Sequence, residues 1–234
     1  MLKVPMRCGE ALRAARRAAR ASAILLVKRV RRPSHHLIHI PKNAGMALRQ
    51  ALAYRVSLTE PYHYRYLDIV DRCGRDLKYF AIVRNPWSRT VSRYLYARQR
   101  CETWPAHDPR RAYMSSATFS DFVRDARLFE IPAHPGMPWM GPTTSWYDQL
   151  EWMRDEGGRV MCDALRFEHL EDDLSTYFRH KIRVPEKNRT RQSMDYRRLY
   201  SDELAQCVAA RFARDIEHFG FTFDGPATKS IAIL

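Results

Sequence analysis

Short apolar runs alternate with amphipathic segments along most of the chain. The run Lys78–Val83, KYFAIV, is short, apolar and rich in β-formers, which predicts a buried strand. Shorter strands are predicted over 36–40 and 160–167. Apolar residues at helical spacing predict a helix over 87–98 and a closing helix over 201–219. Strands that alternate with helices predict an α/β domain built around a parallel sheet.

Breaks in this pattern divide the chain. Further helices are predicted over 46–54, 64–73, 118–127 and 171–180. Four prolines and two glycines predict a loop over 131–143. Pro33 interrupts the pattern near the N-terminus. We therefore assign residues 1–33 to a leader, 34–224 to one folded domain and 225–234 to a C-terminal tail.

Length and composition exclude several classes of protein. A chain of 234 residues with 45% hydrophobic residues can bury a core and is not a disordered protein. Its five cysteines are odd in number and contain no CxxC pair, which excludes a disulfide framework and a zinc pattern. The sequence therefore predicts a domain that folds without a metal and without disulfides.

The positive charge is concentrated near the N-terminus. The chain carries +14, but residues 1–33 hold ten Lys and Arg and one Glu, which leaves only +5 for the rest. A nucleic-acid partner is therefore not expected. The apolar run 21–27 is shorter than the roughly 20 residues that span a bilayer, and basic residues follow it where a signal cleavage site would stand. Three interpretations of residues 1–32 stay open: a peripheral contact with anionic membrane, an organelle presequence and a solvated helix.

Two strand–turn–helix junctions carry the candidate chemistry. In the first, LIHIPKNAGMAL over 37–48, a strand ends, a turn follows and a helix begins. Main-chain N–H groups at such a turn favour anions, and Lys42 adds a positive charge. The GxxxxGK[ST] pattern of a Walker A loop is absent. The junction predicts an anion site, and the alternative is an ordinary turn with a surface lysine.

The second junction is FAIVRNPWSRTVSRYLYAR, over 80–98. A buried strand delivers Arg84 at its carboxyl end, where open α/β sheets bind ligands. Ser92 follows Arg84 by eight residues, about two turns along the next helix. Because arginine can bind a phosphate with two hydrogen bonds and a serine hydroxyl can add a third, this junction predicts a phosphate site.

Together the two junctions resemble the sulfotransferases that use 3′-phosphoadenosine 5′-phosphosulfate, especially the carbohydrate-acting, family 2-like branch. That branch has a 5′-phosphosulfate loop I-H-I-P-K-x-A-G-x-x-L and a 3′-phosphate segment F-x-x-V-R-N-P-(W/Y)-x-R-x-V-S-x-Y, which stand here at 38–48 and 80–94. Residues 166–174 are similar to its F-E-x-L-x-x-D-L segment, and 200–223 to its terminal Y-x-x-x-x-D-I-x-x-F-G-Y helix. The resemblance covers residues 36–223. It implies a single three-layer α/β/α domain with a central parallel sheet and a P-loop-like nucleotide-binding turn.

The resemblance assigns the residues that bind the sulfate donor. Lys42 would contact the phosphosulfate and stabilise charge on the leaving phosphate. Arg84 and Ser92 would hold the 3′-phosphate. Arg189 and Arg191 fall in a segment that closes over the nucleotide in related enzymes, with a solvated basic loop as the alternative. The donor loop as a whole consists of Pro41, Lys42, Asn43, Ala44, Gly45, Met46 and Ala47.

The acceptor hydroxyl requires a general base, and histidine is suited to this role near neutral pH. Family members often carry a histidine about twenty residues before the R-N-P segment, and His63 stands 21 residues before Arg84. His63 is therefore assigned as the catalytic base, and the alternative is a histidine packed among tyrosines. His39 is expected to be structural. Weaker candidates for the base are His35, His36, His134 and Asp68.

Two further residues are candidates for the acceptor side. Trp139 lies in the proline-rich loop and could stack on a sugar face, with a buried surface-loop tryptophan as the alternative. Glu168 follows a predicted strand and could orient a substrate or cap a helix. The resemblance implies no metal at the site.

These features predict an enzyme that moves a sulfuryl group from 3′-phosphoadenosine 5′-phosphosulfate to a hydroxyl of a carbohydrate or glycolipid. Met46 and Ala47 stand where the family often has Thr-Ser, which removes hydroxyl contacts to the 5′-phosphate. This departure supports one rival, a catalytically dead scaffold that binds acidic polymers or membranes. The other rival, a small-molecule kinase on a related fold, is disfavoured by the missing Walker motif. The expected location is cytoplasmic with a peripheral membrane contact, or the Golgi in a eukaryote.

Overall fold

The computed structural model describes residues 33–52, 56–58, 63–125, 148–185 and 195–233, which form a mixed fold of helices and strands. Its strands are β1 (His35–Ile38), β2 (Ser57–Leu58), β3 (Lys78–Val83) and β4 (Asp163–Arg166). They form one sheet in the order β2-β1-β3-β4, and every neighbouring pair is parallel. The predicted α/β character is confirmed, and the strand predicted at 78–83 has the predicted bounds.

Helices connect and flank these strands. The α-helices of the described residues are α1 (Gly45–Ala51), α2 (Tyr66–Cys73), α3 (Pro86–Arg100), α4 (Pro109–Ser116), α5 (Phe119–Arg124), α6 (Gln149–Met153), α7 (Leu170–Tyr177), α8 (Asp202–Arg211) and α9 (Ala213–Phe219). Single 3-10 turns occupy Cys101–Thr103 and Tyr196–Leu199. Local sequence explains several helix starts. The Thr118 side chain accepts the Asp121 N–H at the start of α5, and the Ser201 side chain caps α8 in the same way.

The sheet is buried on both faces. Along β3, Tyr79, Ala81 and Val83 pack in one apolar cluster, whereas Phe80 and Ile82 pack in another. Successive side chains of a strand point to opposite faces, so the two clusters lie on opposite sides of the sheet. The first cluster includes side chains of α2, α3, α5, α6, α8 and α9, and the second includes side chains of α1 and α7. A continuously apolar strand is what a parallel sheet covered on both faces requires.

The closing helix differs from the prediction. It is interrupted at Phe212, where φ is −111° and ψ is 28°, and so forms two helices, α8 and α9. Different tertiary contacts hold the two pieces. Arg211 of α8 donates to the Val123 carbonyl, whereas Asp215 of α9 accepts hydrogen bonds from the first N–H groups of α6. These long-range contacts outweigh the apolar stripe, which is continuous through the break.

Several short elements have no signal in the apolar pattern. These are β2, α4, α6 and the two 3-10 turns, and the longest of them has eight residues. Elements of one or two turns show too few periods for the pattern to appear. The predicted strand over 160–167 is shorter in the structure, at 163–166, and that over 36–40 lies at 35–38.

Residues 225–233 pack back on the domain. Ala227 and Ile231 are buried in the first cluster, and the Ala232 N–H donates to the Ala164 carbonyl of β4. The boundaries assigned at 33 and 224 stay predictions. Residues 1–32 of the leader and the loop 131–143 lie outside the described residues. Within the described part of the chain, no helix is both long enough and apolar enough to cross a membrane.

Candidate functional site

The two predicted phosphate junctions lie side by side. β1 and β3 are neighbouring parallel strands, so the segments that follow them, 39–44 and 84–85, leave the same edge of the sheet. β4 is the other neighbour of β3, and it brings Phe167 and Glu168 to this edge. Ligands of open parallel sheets bind at the carboxyl ends of the strands. The topology therefore places both junctions where a ligand can touch them together.

The loop after β1 has an open main chain. Lys42 and Ala44 have φ values of 72° and 62°, in a left-handed region that costs a non-glycine residue about 1–2 kcal/mol. Among the described residues, none accepts a hydrogen bond from the N–H of Ala44, Gly45 or Met46. Because unpaired main-chain donors favour negative charge, this loop offers three of them to an anion.

Gly45 is required by the close approach of His39. A Cβ on Gly45 would lie 1.7 Å from His39 Nε2, so only glycine fits there. Burial, together with the neighbouring His63 and Arg49, lowers the pKa of His39 to about 3. His39 is therefore a neutral ring packed against the first residue of α1.

His63 lies against His39, with ring centroids 4.1 Å apart. Its Nδ1 is 2.7 Å from the His39 carbonyl oxygen. A carbonyl only accepts, so Nδ1 carries the proton and the neutral ring keeps a lone pair on Nε2. Burial and the charges of Arg89 and Lys42 lower the pKa of His63, and the hydrogen bond to His39 partly opposes them. The ring is therefore neutral at pH 7, which is the form that a general base needs.

The Lys42 side chain faces Tyr96 of α3. Its Nζ lies 3.8 Å from the centroid of the Tyr96 ring. In the described part of the chain, Lys42 forms no ion pair with a carboxylate. Burial and the charges of Arg84 and Arg93 lower the pKa of Lys42 to about 8. An anion bound beside it would relieve this repulsion and favour its charged form.

Arg84 contacts both loops. Its Nε and Nη2 donate to Ser88 Oγ at 3.0 and 2.8 Å, and its Nη1 donates to the Lys42 carbonyl at 3.0 Å. Its guanidinium carbon lies 4.0 Å from the centroid of the Phe167 ring. Burial lowers the pKa of Arg84 to about 10, so it stays charged at neutral pH. Neutral groups thus hold this cation, and within the described ranges it forms no ion pair.

The hydroxyl that contacts Arg84 is that of Ser88, and the assignment of Ser92 to a phosphate stays a prediction. Ser92 is half-buried one turn further along the same face of α3, and Tyr96 continues this face by another turn. The three side chains form a line with Arg84 at one end and Lys42 at the other. Sequence reasoning missed Ser88, although its four-residue spacing from Ser92 was the signal that could have found it.

Two more arginines of α3 are buried behind the loops. Arg89 is 1% exposed, and its Nε donates to the Pro41 carbonyl at 3.2 Å. Burial lowers the pKa of Arg89 to about 10, while Asp215 opposes the shift. The pKa of the buried Arg93 is also lowered, by burial and by the charges of Arg89 and Arg211. Basic groups thus outnumber acidic ones around the loops, which favours an anionic ligand.

A cavity of about 280 Å³ opens beside Ser88. Phe167 and Tyr196 provide aromatic walls, and Arg197 lies at the edge, where it is ion-paired with Asp195 and Asp224. Glu168 also lines it, and Glu168 Oε1 accepts the Asn85 N–H at 2.9 Å. Glu168 therefore fixes the turn of the second loop in addition to facing the cavity.

The remaining predicted residues are distributed as follows. Met46 is 50% exposed at the loop, and Asn43 and Ala47 are buried beneath it. Among the weaker candidates for the base, His35 packs on Phe178 and Asp68 pairs with Arg65. Trp139, His134, Arg189 and Arg191 lie outside the described residues.

Sequence reasoning also missed Gln149 and Asp215, which are both fully buried and hydrogen-bonded to each other. Gln149 contacts both loops. No local pattern marks Gln149, which stands just after a proline-rich stretch. Asp215 lies in the closing segment, 200–223, where it corresponds to the Asp of the D-I pair in the family motif. No role was assigned to it from the sequence.

Comparison with known proteins gives no match for this chain among family models, curated proteins or solved structures. The residues of the site and their geometry are therefore the basis on which a function is inferred.

Proposed function

We propose that this protein is a sulfotransferase that moves a sulfuryl group from 3′-phosphoadenosine 5′-phosphosulfate to a hydroxyl of a carbohydrate or glycolipid. One observation carries the proposal. Lys42 and Arg84 stand in neighbouring loops at the carboxyl edge of a parallel sheet, and neither forms an ion pair among the described residues. Partly buried cations that form no ion pair with a carboxylate favour an anionic ligand.

The spacing of the two cations supports a ligand with two anionic groups. Arg84 is held at Ser88 and Lys42 at Tyr96. Eight helical residues separate those positions, about 12 Å along the axis of α3. Because Lys42 and Arg84 meet α3 at different positions along its length, a nucleotide phosphorylated on both the 3′ and 5′ sides can place one anionic group at each cation. Ser92 lies between them on the same helix face and can contact either phosphate.

The cavity beside Ser88 supports the nucleoside part of the ligand. Its aromatic walls, Phe167 and Tyr196, offer ring faces to a purine, and Arg197 stands at its edge. The open N–H groups of Ala44 and Gly45 and the ammonium of Lys42 fit a 5′-phosphosulfate. The residues present thus fit the donor.

The proposed reaction is an in-line transfer. The acceptor oxygen attacks sulfur as the bond from sulfur to the 5′-phosphate oxygen breaks, and the products are a sulfate ester and 3′-phosphoadenosine 5′-phosphate. His63 Nε2 takes the hydroxyl proton. Lys42 and the loop N–H groups stabilise the charge that develops on the leaving phosphate, and Arg84 and Ser88 fix the 3′-phosphate.

The fold is consistent with this proposal. Apolar clusters on both faces of the sheet support a three-layer α/β/α arrangement. The Lys42 loop, which joins β1 to α1 with open N–H groups, supports the reading as a P-loop-like turn without the Walker sequence. A cytoplasmic enzyme with a membrane contact through residues 1–32 stays part of the proposal.

Titration calorimetry with 3′-phosphoadenosine 5′-phosphate tests donor binding. We expect micromolar binding by the wild type and a loss of at least 30-fold in Arg84→Ala. The matched control is Arg159→Ala, which removes an exposed arginine that is paired with Asp155 and belongs to neither loop. It should bind like the wild type. Absence of binding by the wild type contradicts the sulfotransferase proposal.

Transfer of labelled sulfate tests the base. We expect His63→Ala to lose at least 100-fold in kcat while it binds the donor normally. His107→Ala, at an exposed histidine, is the control. Normal turnover by His63→Ala would show that another group is the base. Donor binding without transfer to any hydroxyl, across a panel of glycans and glycolipids, favours the non-catalytic scaffold instead.

A further inference from the structure

Gln149, the first residue of α6, makes four side-chain hydrogen bonds in a fully buried position. Its Oε1 accepts from Asn43 Nδ2 at 2.7 Å and from the Arg84 N–H at 2.8 Å. Its Nε2 donates to the Arg84 carbonyl at 2.9 Å and to Asp215 Oδ2 at 3.2 Å. Both lone pairs and both protons of the amide are therefore used. A single side chain thus joins the Lys42 loop to the Arg84 loop.

The contact with Arg84 resembles the pairing of two strands. The side-chain amide bonds to both the N–H and the carbonyl of Arg84, one residue after β3 ends at Val83. These two bonds set the direction in which the main chain leaves the strand. They therefore set the position from which the Arg84 guanidinium reaches Ser88.

The contact with Asn43 holds the strained part of the Lys42 loop. Asn43 stands between the two residues with positive φ, Lys42 and Ala44. Its Nδ2 donates to the Ile82 carbonyl at 2.6 Å as well as to Gln149. Backbone strain persists only where surrounding contacts determine the conformation. Asn43 and Gln149 supply such contacts.

Asp215 of α9 anchors Gln149. Its carboxylate accepts the Gln149 N–H at 2.7 Å and the Leu150 N–H at 3.0 Å, in addition to the Gln149 side chain. Burial raises the pKa of Asp215 to about 6, against the effects of those hydrogen bonds and of Arg89. Its three hydrogen bonds fix the position of Gln149 at the start of α6.

We propose that Gln149, anchored by Asp215, is a positioning residue that fixes the spacing of the two phosphate loops, so that both phosphates of the donor bind as one unit. This inference rests on the proposed function and adds a residue that touches no ligand. A ligand with one phosphate needs only one loop and is insensitive to their spacing. A ligand with two phosphates gains from loops that are already in register.

The test compares two ligands, 3′-phosphoadenosine 5′-phosphate and adenosine 5′-monophosphate, in each variant. The measured quantity is the ratio of their affinities, which a general loss of stability does not change. We expect Gln149→Leu to lower this ratio at least tenfold. Leu150→Ala, at the next buried residue, is the matched control and should keep the ratio within about twofold. An unchanged ratio in Gln149→Leu overturns the proposal.

A second variant, Asn43→Ala, and a second measurement, hydrogen exchange, test the positioning role independently of Gln149→Leu. Asn43→Ala removes the contacts of the Lys42 loop with Gln149 and with the Ile82 carbonyl but leaves those of Gln149 with Arg84, and it should lower the ratio in the same direction, even if Gln149→Leu folds poorly. Hydrogen exchange of the N–H groups of residues 43, 47 and 48, which are bonded within the loop or to Ala44, should accelerate without nucleotide in both variants and not in Leu150→Ala. Unchanged exchange overturns the positioning role, whereas a wild type that binds neither nucleotide contradicts the proposed function instead.

Discussion

The loop after β1 and the loop after β3 leave the same sheet edge, but their main chains are held in different ways. The first has positive φ at Lys42 and Ala44 and open N–H groups at its end. The second is capped, because the Asn85 side chain accepts the N–H of Trp87 and of Ser88 and Pro86 needs no N–H partner.

This difference assigns different tasks to the two loops. A strained loop with unpaired donors can meet a ligand with its main chain, and its strain requires support from buried contacts. In the second loop the cap leaves few main-chain N–H groups unpaired. This loop therefore contacts a ligand mainly through one side chain, that of Arg84. The proposed site would therefore combine main-chain recognition in one loop with side-chain recognition in the other.

The largest effect is expected from Gly45→Ala in the first loop. The new Cβ would lie 1.7 Å from His39 Nε2, so either the ring or the loop must move. We expect a loss of at least 100-fold in affinity for 3′-phosphoadenosine 5′-phosphate by calorimetry. Combining it with His39→Ala should restore part of the affinity, and Gly157→Ala, where the nearest atom is 3.4 Å away, should bind normally. Normal binding by Gly45→Ala would refute the close packing.

The next largest effect is expected from Asn85→Ala in the second loop. The buried amide caps α3 and also donates to the carbonyls of Thr222 and Gly225, so its loss leaves several buried groups unpaired. The free energy of unfolding should fall by about 2–4 kcal/mol in urea titrations. Ser201→Ala removes an exposed cap and should cost only about 1 kcal/mol. If Asn85→Ala and Ser201→Ala lowered the free energy of unfolding equally, the Asn85 side chain would stabilise the fold no more than an ordinary helix cap does.

A smaller effect is expected from pH on the first loop. The pKa of Lys42 is lowered to about 8, and a bound anion favours its protonated form. Affinity for 3′-phosphoadenosine 5′-phosphate should therefore fall about tenfold between pH 7 and 9 as free Lys42 loses its proton. Lys42→Arg keeps its charge in this range and should show a flat profile. A flat profile in the wild type would exclude Lys42 from the anion site.

The smallest effect is expected from Ala44→Gly. Glycine adopts positive φ at little cost, although it loses more entropy on folding than alanine. The free energy of unfolding should rise by about 0.5–1 kcal/mol, measured by urea titration. Ala112→Gly, within α4, is the control and should lower stability by a similar amount. A destabilised Ala44→Gly would show that the first loop carries no strain at this position.

Much of the fold could be predicted from local sequence, because long apolar runs and helix caps act over a few residues. β3 and α3 were predicted this way, as was the position of Arg84 at the carboxyl end of a strand, whereas the adjacency of the two junctions follows from the pairing of β1 with β3. The break at Phe212 and the short helix α6 were not, because long-range contacts such as those of Asp215 determine them. Ser88 was not identified beside Ser92 because both lie on one helix face, and only the folded structure shows that the Arg84 side chain contacts Ser88.

The sequence by itself determined the alternation of strands and helices, the two anion-type junctions and the residues Lys42 and Arg84 that carry their charge, since each of these depends on neighbours in the chain. The tertiary structure decided which hydroxyl Arg84 contacts, why residue 45 must be glycine and which buried amide joins the two loops. The physical reason is distance along the chain. Gln149 lies 106 residues from Asn43 and 66 from Asp215, so only the packed fold brings these groups within hydrogen-bonding distance.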